Sequence, residues 1–177
     1  MPRFVALLRG VNVGKGKRVP MAGLRALLES LGARDVATLL NSGNLVFTHA
    51  GRSTAKHARA IADGIRDAFG VDTPVIVKSG DEFAAIVAGN PMPVPDDAHS
   101  RFLVAFAADA AGLEPLKSLQ GRSPAPERFV VTDLAAYLHC PGGLLDSPTA
   151  LAMLGKAGKG VTTRNWATVL KLAMLVG

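Results

Sequence analysis

Val36-Ala37-Thr38-Leu39-Leu40-Asn41-Ser42-Gly43-Asn44-Leu45-Val46-Phe47 holds two short apolar runs joined by four residues that tolerate the positive φ a tight hairpin demands. Residues 36–40 and 45–47 therefore read as paired strands. Upstream, residues 3–9 (Arg-Phe-Val-Ala-Leu-Leu-Arg) form a continuous apolar run, the pattern of a strand buried on both faces. Between that run and the hairpin, Pro20 suits the first position of a helix. Met21, Leu24, Leu27, Leu28 and Leu31 then recur at helical spacing, and Gly32 supplies a stop. Downstream, Ser53 is a candidate cap for a helix with Ala58, Ile61, Ala62, Ile65, Ala68 and Phe69 on its apolar face. Gly70 ends that helix, and residues 74–78 give a fourth strand, so the order is βαββαβ.

A short helix around residues 81–88 and the proline-rich stretch Asn90-Pro91-Met92-Pro93-Val94-Pro95 then mark a linker, because proline stops helices and stiffens loops. Beyond it, a strand over residues 102–107, a short helix near 113–119 and strands over 129–132 and 134–139 repeat the βαββ order. After Pro141 the chain is expected to return as helix, ending in a helix over residues 163–175 with Trp166, Val169, Leu170 and Ala173 on one face, capped by Thr162 or Thr163. The expected architecture is α/β (α+β), with two tandem ferredoxin-like subdomains, residues 1–89 and 90–177, the second ending in helices.

The composition fits a packed soluble protein: 49% of the 177 residues are hydrophobic and 19% charged. Cys140 is the only cysteine, and no cysteine or histidine pair has metal-ligand spacing. No internal disulfide, metal or cofactor is expected, and a reducing, cytoplasmic compartment is the natural one. The apolar run at residues 4–8 is too short for a signal peptide and Lys171 interrupts the one near the C-terminus, so no membrane segment is expected. The net charge of +6 is concentrated at the ends. Residues 1–28 carry Arg3, Arg9, Lys15, Lys17, Arg18 and Arg25, and residues 147–177 carry Lys156, Lys159, Arg164 and Lys171, with no acid in either segment. Such segregation attracts phosphates or acidic partners, and also serves solubility.

In a ferredoxin-like sandwich, strand one ends on the sheet edge where strand two turns into strand three, with neighbouring strands about 5 Å apart. Arg9, Asn12, Lys15, Ser42 and Asn44 are expected to cluster there, next to a helix N-terminus whose amides favour an anion. The loop fits no named phosphate motif. Residues 10–16 (Gly-Val-Asn-Val-Gly-Lys-Gly) are one residue short of a Walker A and have glycine where serine or threonine would hold magnesium, and the third glycine of a dinucleotide fingerprint is missing. A second glycine-lysine loop at residues 155–160 leads into Thr162-Thr163-Arg164-Asn165, which makes Arg164 and Asn165 further ligand candidates. Ordinary tight turns, a threonine cap and solvated lysines are the simpler account of both loops.

The other candidates read as structural. Phe4 and Phe47 fit the core better than base stacking, because the signature of RNA-binding ferredoxin-like domains is absent. Tyr137 and His139 alternate on one strand with no carboxylate or second histidine nearby in sequence. Cys140 lacks a CxxC partner and reads as a buried thiol, and Trp166 as a residue that pins a helix to the core.

Three stretches together resemble the bacterial family of domain of unknown function 1697: Ala6-Leu7-Leu8-Arg9-Gly10-Val11-Asn12-Val13-Gly14 followed by Val19-Pro20-Met21 and Leu24-Arg25; Asn41-Ser42-Gly43-Asn44-Leu45-Val46-Phe47; and Thr162-Thr163-Arg164-Asn165-Trp166 with Thr168-Val169. The resemblance spans almost the whole chain. It implies a duplicated ferredoxin-like architecture and no activity. The family usually follows its last strand with glycine and a basic Arg-Ser-Lys-like stretch. Here Gly143-Leu144-Leu145-Asp146-Ser147-Pro148 has neither basic residue, so no anion site is carried over to that position.

The leading expectation is a binding protein whose basic edge holds a phosphate-bearing ligand or nucleic acid. The alternatives are an enzyme acting on a small phosphorylated molecule, with His139 as acid or base, and a protein-interaction module marked by an apolar patch at Trp166.

Overall fold

The computed structural model describes residues 1–177. It is a mixed α/β protein with two four-stranded antiparallel sheets and helices. Backbone contacts divide the chain into two compact units, Met1–Ala84 with Leu172–Gly177, and Ala85–Lys171. The expected boundary at residue 89 falls inside the second unit.

In the first unit, β1 (Arg3–Leu8), α1 (Met21–Ser30), β2 (Arg34–Leu39), β3 (Asn44–Thr48), α2 (Thr54–Phe69) and β4 (Val75–Ser79) follow in that order. The sheet order is β2-β3-β1-β4, with Arg3 opposite Thr48, Leu7 opposite Asn44 and Phe4 opposite Ser79. Side chains alternate across a strand, so Phe4, Ala6 and Leu8 share a face with Leu45, Phe47 and Val77. Onto that face α1 brings Leu24 and Leu28, and α2 brings Ile61 and Ile65, all buried. Each such side chain contributes about 1.5–3 kcal/mol of burial. α2 is bounded as its sequence implies: Ser53 Oγ accepts from Lys56 N at 3.2 Å, and Gly70 closes it at φ +66°. The two helices approach closely where Gly64 faces Leu27, since a Cβ on Gly64 would lie 2.7 Å from Leu27 Cδ1.

α3 (Gly80–Ala88) leads into the second unit. There β5 (Phe102–Ala107), α4 (Ala110–Leu113), a 3-10 stretch (Glu114–Arg122), β6 (Arg128–Val131), β7 (Ala136–His139), α5 (Pro148–Leu154), a 3-10 turn (Lys156–Gly158) and β8 (Val161–Asn165) follow, and then α6 (Trp166–Val176), whose residues from Leu172 on belong to the first unit. The order β6-β7-β5-β8 matches that of the first sheet. Leu103, Ala105, Leu113, Leu116, Leu138 and Met153 are among its core residues.

One expectation is corrected here. Residues 163–165 are strand, not helix: Val161–Asn165 pairs with Leu103–Ala107, Ala107 opposite Val161 and Leu103 opposite Asn165. Val161, Thr162 and Thr163 are β-branched and suit a pleated surface. The helix begins only at Trp166, where Asn165 Oδ1, rather than Thr162 or Thr163, accepts the capping bond from Thr168 N at 3.0 Å. No helix is long and apolar enough to cross a membrane.

Candidate functional site

β1 delivers Arg9 and the loop of residues 10–19 to one end of the first sheet. Gly10, Asn12 and Gly14 take left-handed φ values of 70°, 54° and 54°, so the loop doubles back and Asn12 N donates to Lys17 O at 2.7 Å. The Asn12 side chain fixes this shape. Its Nδ2 donates to Val19 O and to Asn41 O, both at 2.7 Å, and its Oδ1 accepts from Val19 N at 2.9 Å. Because Asn41 opens the β2–β3 corner, one amide fastens the loop to that corner. Leu8 N also donates to Gly43 O at 2.9 Å. Gly43, at φ +87°, has no room for a side chain: a Cβ would lie 2.6 Å from Leu8 Cβ and 2.8 Å from Val11 Cγ2. The two bends therefore lie side by side on one rim.

Lys15, Lys17 and Arg18 are not paired with carboxylates. Lys15 is exposed, Lys17 Nζ donates to the backbone carbonyl of Asp72, and Arg18 Nη2 donates to Gly14 O at 2.5 Å. None of the three forms an ion pair; elsewhere in this unit Arg25 pairs with Glu29 and Arg66 with Asp63 and Asp67. Arg9 is half-buried, its carbonyl accepting from Thr73 Oγ1 at 2.6 Å. Ser42 is half-buried and Asn44 fully buried; Asn44 Nδ2 donates to Leu39 O at 2.9 Å and to Ser42 Oγ at 3.2 Å. Asn12, Ser42 and Asn44 are thus joined through the two bends, with Asn12 and Asn44 holding backbone, while Arg9 leaves the end of β1 and Lys15 stands exposed in the same loop as Asn12.

Arg164 and Asn165 lie in the second unit, at the end of β8. Arg164 Nη1 donates to Thr162 Oγ1 at 2.7 Å and Thr163 O at 2.8 Å, and burial lowers the guanidinium pKa to about 10. Asn165 caps α6. Nearby, Trp166 meets the Phe102 ring edge-to-face at 5.4 Å, and the His139 ring is 6.1 Å from the same phenylalanine. Tyr137 is buried with its hydroxyl donating to Ile86 O at 2.5 Å, and burial pushes its pKa up to about 12. Cys140 Sγ donates to Arg101 O at 3.3 Å, and burial pushes the thiol up to about 11. These groups are tied into the second unit's own packing.

The sequence reading passed over a histidine pair. His49, just after β3, and His57, in α2, meet edge-to-face at 4.5 Å in the wall of a cavity of about 360 Å³. Thr48 pairs with Arg3 at the start of β1, so this cavity is at the end of the sheet opposite the basic rim. The only signal was that two of the chain's four histidines flank one loop.

A two-unit α/β protein with two four-stranded antiparallel sheets is the class these features define. A family model described as "Protein of unknown function (DUF1697)" matches residues 1–137, and the chain belongs to that family. The solved structure of the conserved bacterial protein SP0830 from Streptococcus pneumoniae is similar with a TM-score of 0.80, at 21% sequence identity, over 99% of this chain and 99% of that one. At that identity the likeness is one of fold. No functionally curated protein matches the chain.

Proposed function

We propose that this chain is a binding protein whose basic rim holds the phosphates of a nucleic-acid backbone or another phosphate-bearing ligand, on the first of two tandem ferredoxin-like units. The observation that carries the reading is the Asn12 side chain bonded to Asn41 O, which holds a loop rich in lysine and arginine in one shape at one sheet end. A loop already ordered loses less entropy on binding than a mobile one. Arg9, Lys15, Lys17 and Arg18 supply the charge, while Asn12, Ser42 and Asn44 set the shape. Val13 and Leu40, exposed on the same two bends, offer apolar contact to sugars or bases. Arg164 and Asn165 keep framework roles in this reading. The ferredoxin-like reading is supported by the strand order, in which the hairpin partner β3 lies beside β1 and β4 lies on its other side.

Fluorescence anisotropy with labelled single-stranded DNA, duplex DNA and RNA, and competition by inorganic phosphate and pyrophosphate, tests the proposal. Four rim cations on duplex phosphates give an affinity loss of about 150-fold between about 50 and 200 mM salt, and Lys15→Ala with Arg18→Ala lowers the log–log salt slope by about 1.8. Competition by pyrophosphate alone, without nucleic-acid binding, would select a small ligand. Undetectable binding of every probe at low salt, or unchanged binding by the double variant, would end the proposal.

A further inference from the structure

The cavity beside His49 and His57 is built like a ligand site. Its volume of about 360 Å³ lies in the range of small-molecule pockets. Leu28, Ala33, Phe47 and Ile61 line it and are all buried, so its interior is apolar. Arg52, Ser53 and Lys56 also line it and are more open to solvent. No carboxylate is among the lining residues.

The walls are fixed by the chain itself. Gly51 N donates to His49 Nδ1 at 2.8 Å, so that nitrogen is the acceptor. The His49 proton then sits on Nε2, which donates to Leu31 O at 3.1 Å. His57 Nε2, 2.8 Å from Gly51 O, must also be a donor, because a carbonyl only accepts. Two imidazoles are thus held by the backbone of one short loop. The His57 ring is in turn packed edge-on against Phe4 at 4.8 Å and Phe47 at 5.6 Å.

An apolar interior under an acid-free basic mouth favours a molecule with an apolar body and one anionic end. We propose that the cavity is a second ligand site, taking a small carboxylate whose aromatic or branched apolar body sits on Leu28, Phe47 and Ile61 and whose carboxylate meets Arg52 and Lys56. A carboxylate matches the planar guanidinium fork with two parallel hydrogen bonds. The same two cations match a phosphate, which the phenyl phosphate arm of the test separates from a carboxylate. The site is separate from the basic rim and does not depend on it.

Saturation-transfer NMR on the full chain with benzoate, phenylacetate and 4-methylpentanoate, each beside its neutral amide and with phenyl phosphate, tests the site. At least one carboxylate binds, its amide binds more weakly, and Arg52→Ala with Lys56→Ala weakens the carboxylate by about tenfold. Ala60→Leu, which adds bulk to a lining residue, abolishes binding; if that variant melts early, the double alanine variant on the solvent-exposed cations decides alone. Lys15→Ala with Arg18→Ala leaves carboxylate binding unchanged, which separates this site from the rim. Failure of every carboxylate to bind at millimolar concentration would overturn the proposal. So would equal affinity for acid and amide, tighter binding of phenyl phosphate, or insensitivity to the Arg52 and Lys56 substitutions.

Discussion

The first unit covers its sheet with helices of 10 and 16 residues. The second covers a sheet of the same strand order with a four-residue helix running into a 3-10 stretch, and with a seven-residue helix followed by a 3-10 turn. The sequences explain the difference. α2 runs from a serine cap to a left-handed glycine without an internal proline. Pro115 enters directly after α4, and Gly155 and Gly158 follow α5, where proline removes an amide donor and glycine weakens helix. Yet Leu113, Leu116 and Met153 reach the second core as Leu24, Leu28, Ile61 and Ile65 reach the first. Strand pairing carries the topology, and the covering layer has only to deliver apolar side chains at the right places.

That comparison can be broken by substitution. The largest effect is expected at Gly158→Ala, because a Cβ there would overlap the backbone carbonyl of Met153. A loss of about 4 kcal/mol in urea unfolding would show that the broken crossover is as tightly fitted as a helix. Ile65→Ala, at a fully buried position of α2, should cost about 3 kcal/mol. Leu154→Ala, at an exposed position of α5, should change stability by less than about 0.5 kcal/mol. If Gly158→Ala proves milder than Ile65→Ala, the second layer is looser than its core residues imply.

A separate effect, a pH dependence, comes from the second unit. The raised values of Cys140 and Tyr137, about 11 and about 12, mean that the fold binds their protons more tightly than the unfolded chain does. Their stabilisation is complete below the ordinary values of 9.0 and 10.0 and is lost as pH rises through the folded values. Thermal melts should therefore decline from about pH 9 upward. Cys140→Ser, which does not titrate there, should flatten the early part of that decline. A wild-type midpoint that stays level to about pH 11 would contradict it.

The strands and helices of the first unit were legible because each carries its own punctuation: a proline entry, a serine cap, glycine stops and the Asn41–Asn44 corner. β8 was not, because the helical spacing of Trp166, Val169, Leu170 and Ala173 extends visually backwards across Thr163-Arg164-Asn165. Only the partner strand Phe102–Ala107, about sixty residues upstream, decides otherwise, and pairing at that distance leaves no local mark. At the rim, the nearness of the two bends followed from strand order alone. The internal use of the Asn12 and Asn44 amides did not, since a side chain that contacts a ligand and one that holds a loop have the same composition. The histidine pair was hidden because its members are eight residues apart, across a loop whose path the sequence does not specify.

Asn12 answers two demands at once. Its backbone lies at φ 54°, where glycine, asparagine and aspartate are the usual occupants, and its side chain must donate twice and accept once. Glycine would keep the turn and lose all three bonds; aspartate would keep the acceptor and set a negative charge against the carbonyls of Val19 and Asn41. The same bend therefore accepts almost no other side chain, although much of its surface faces open water.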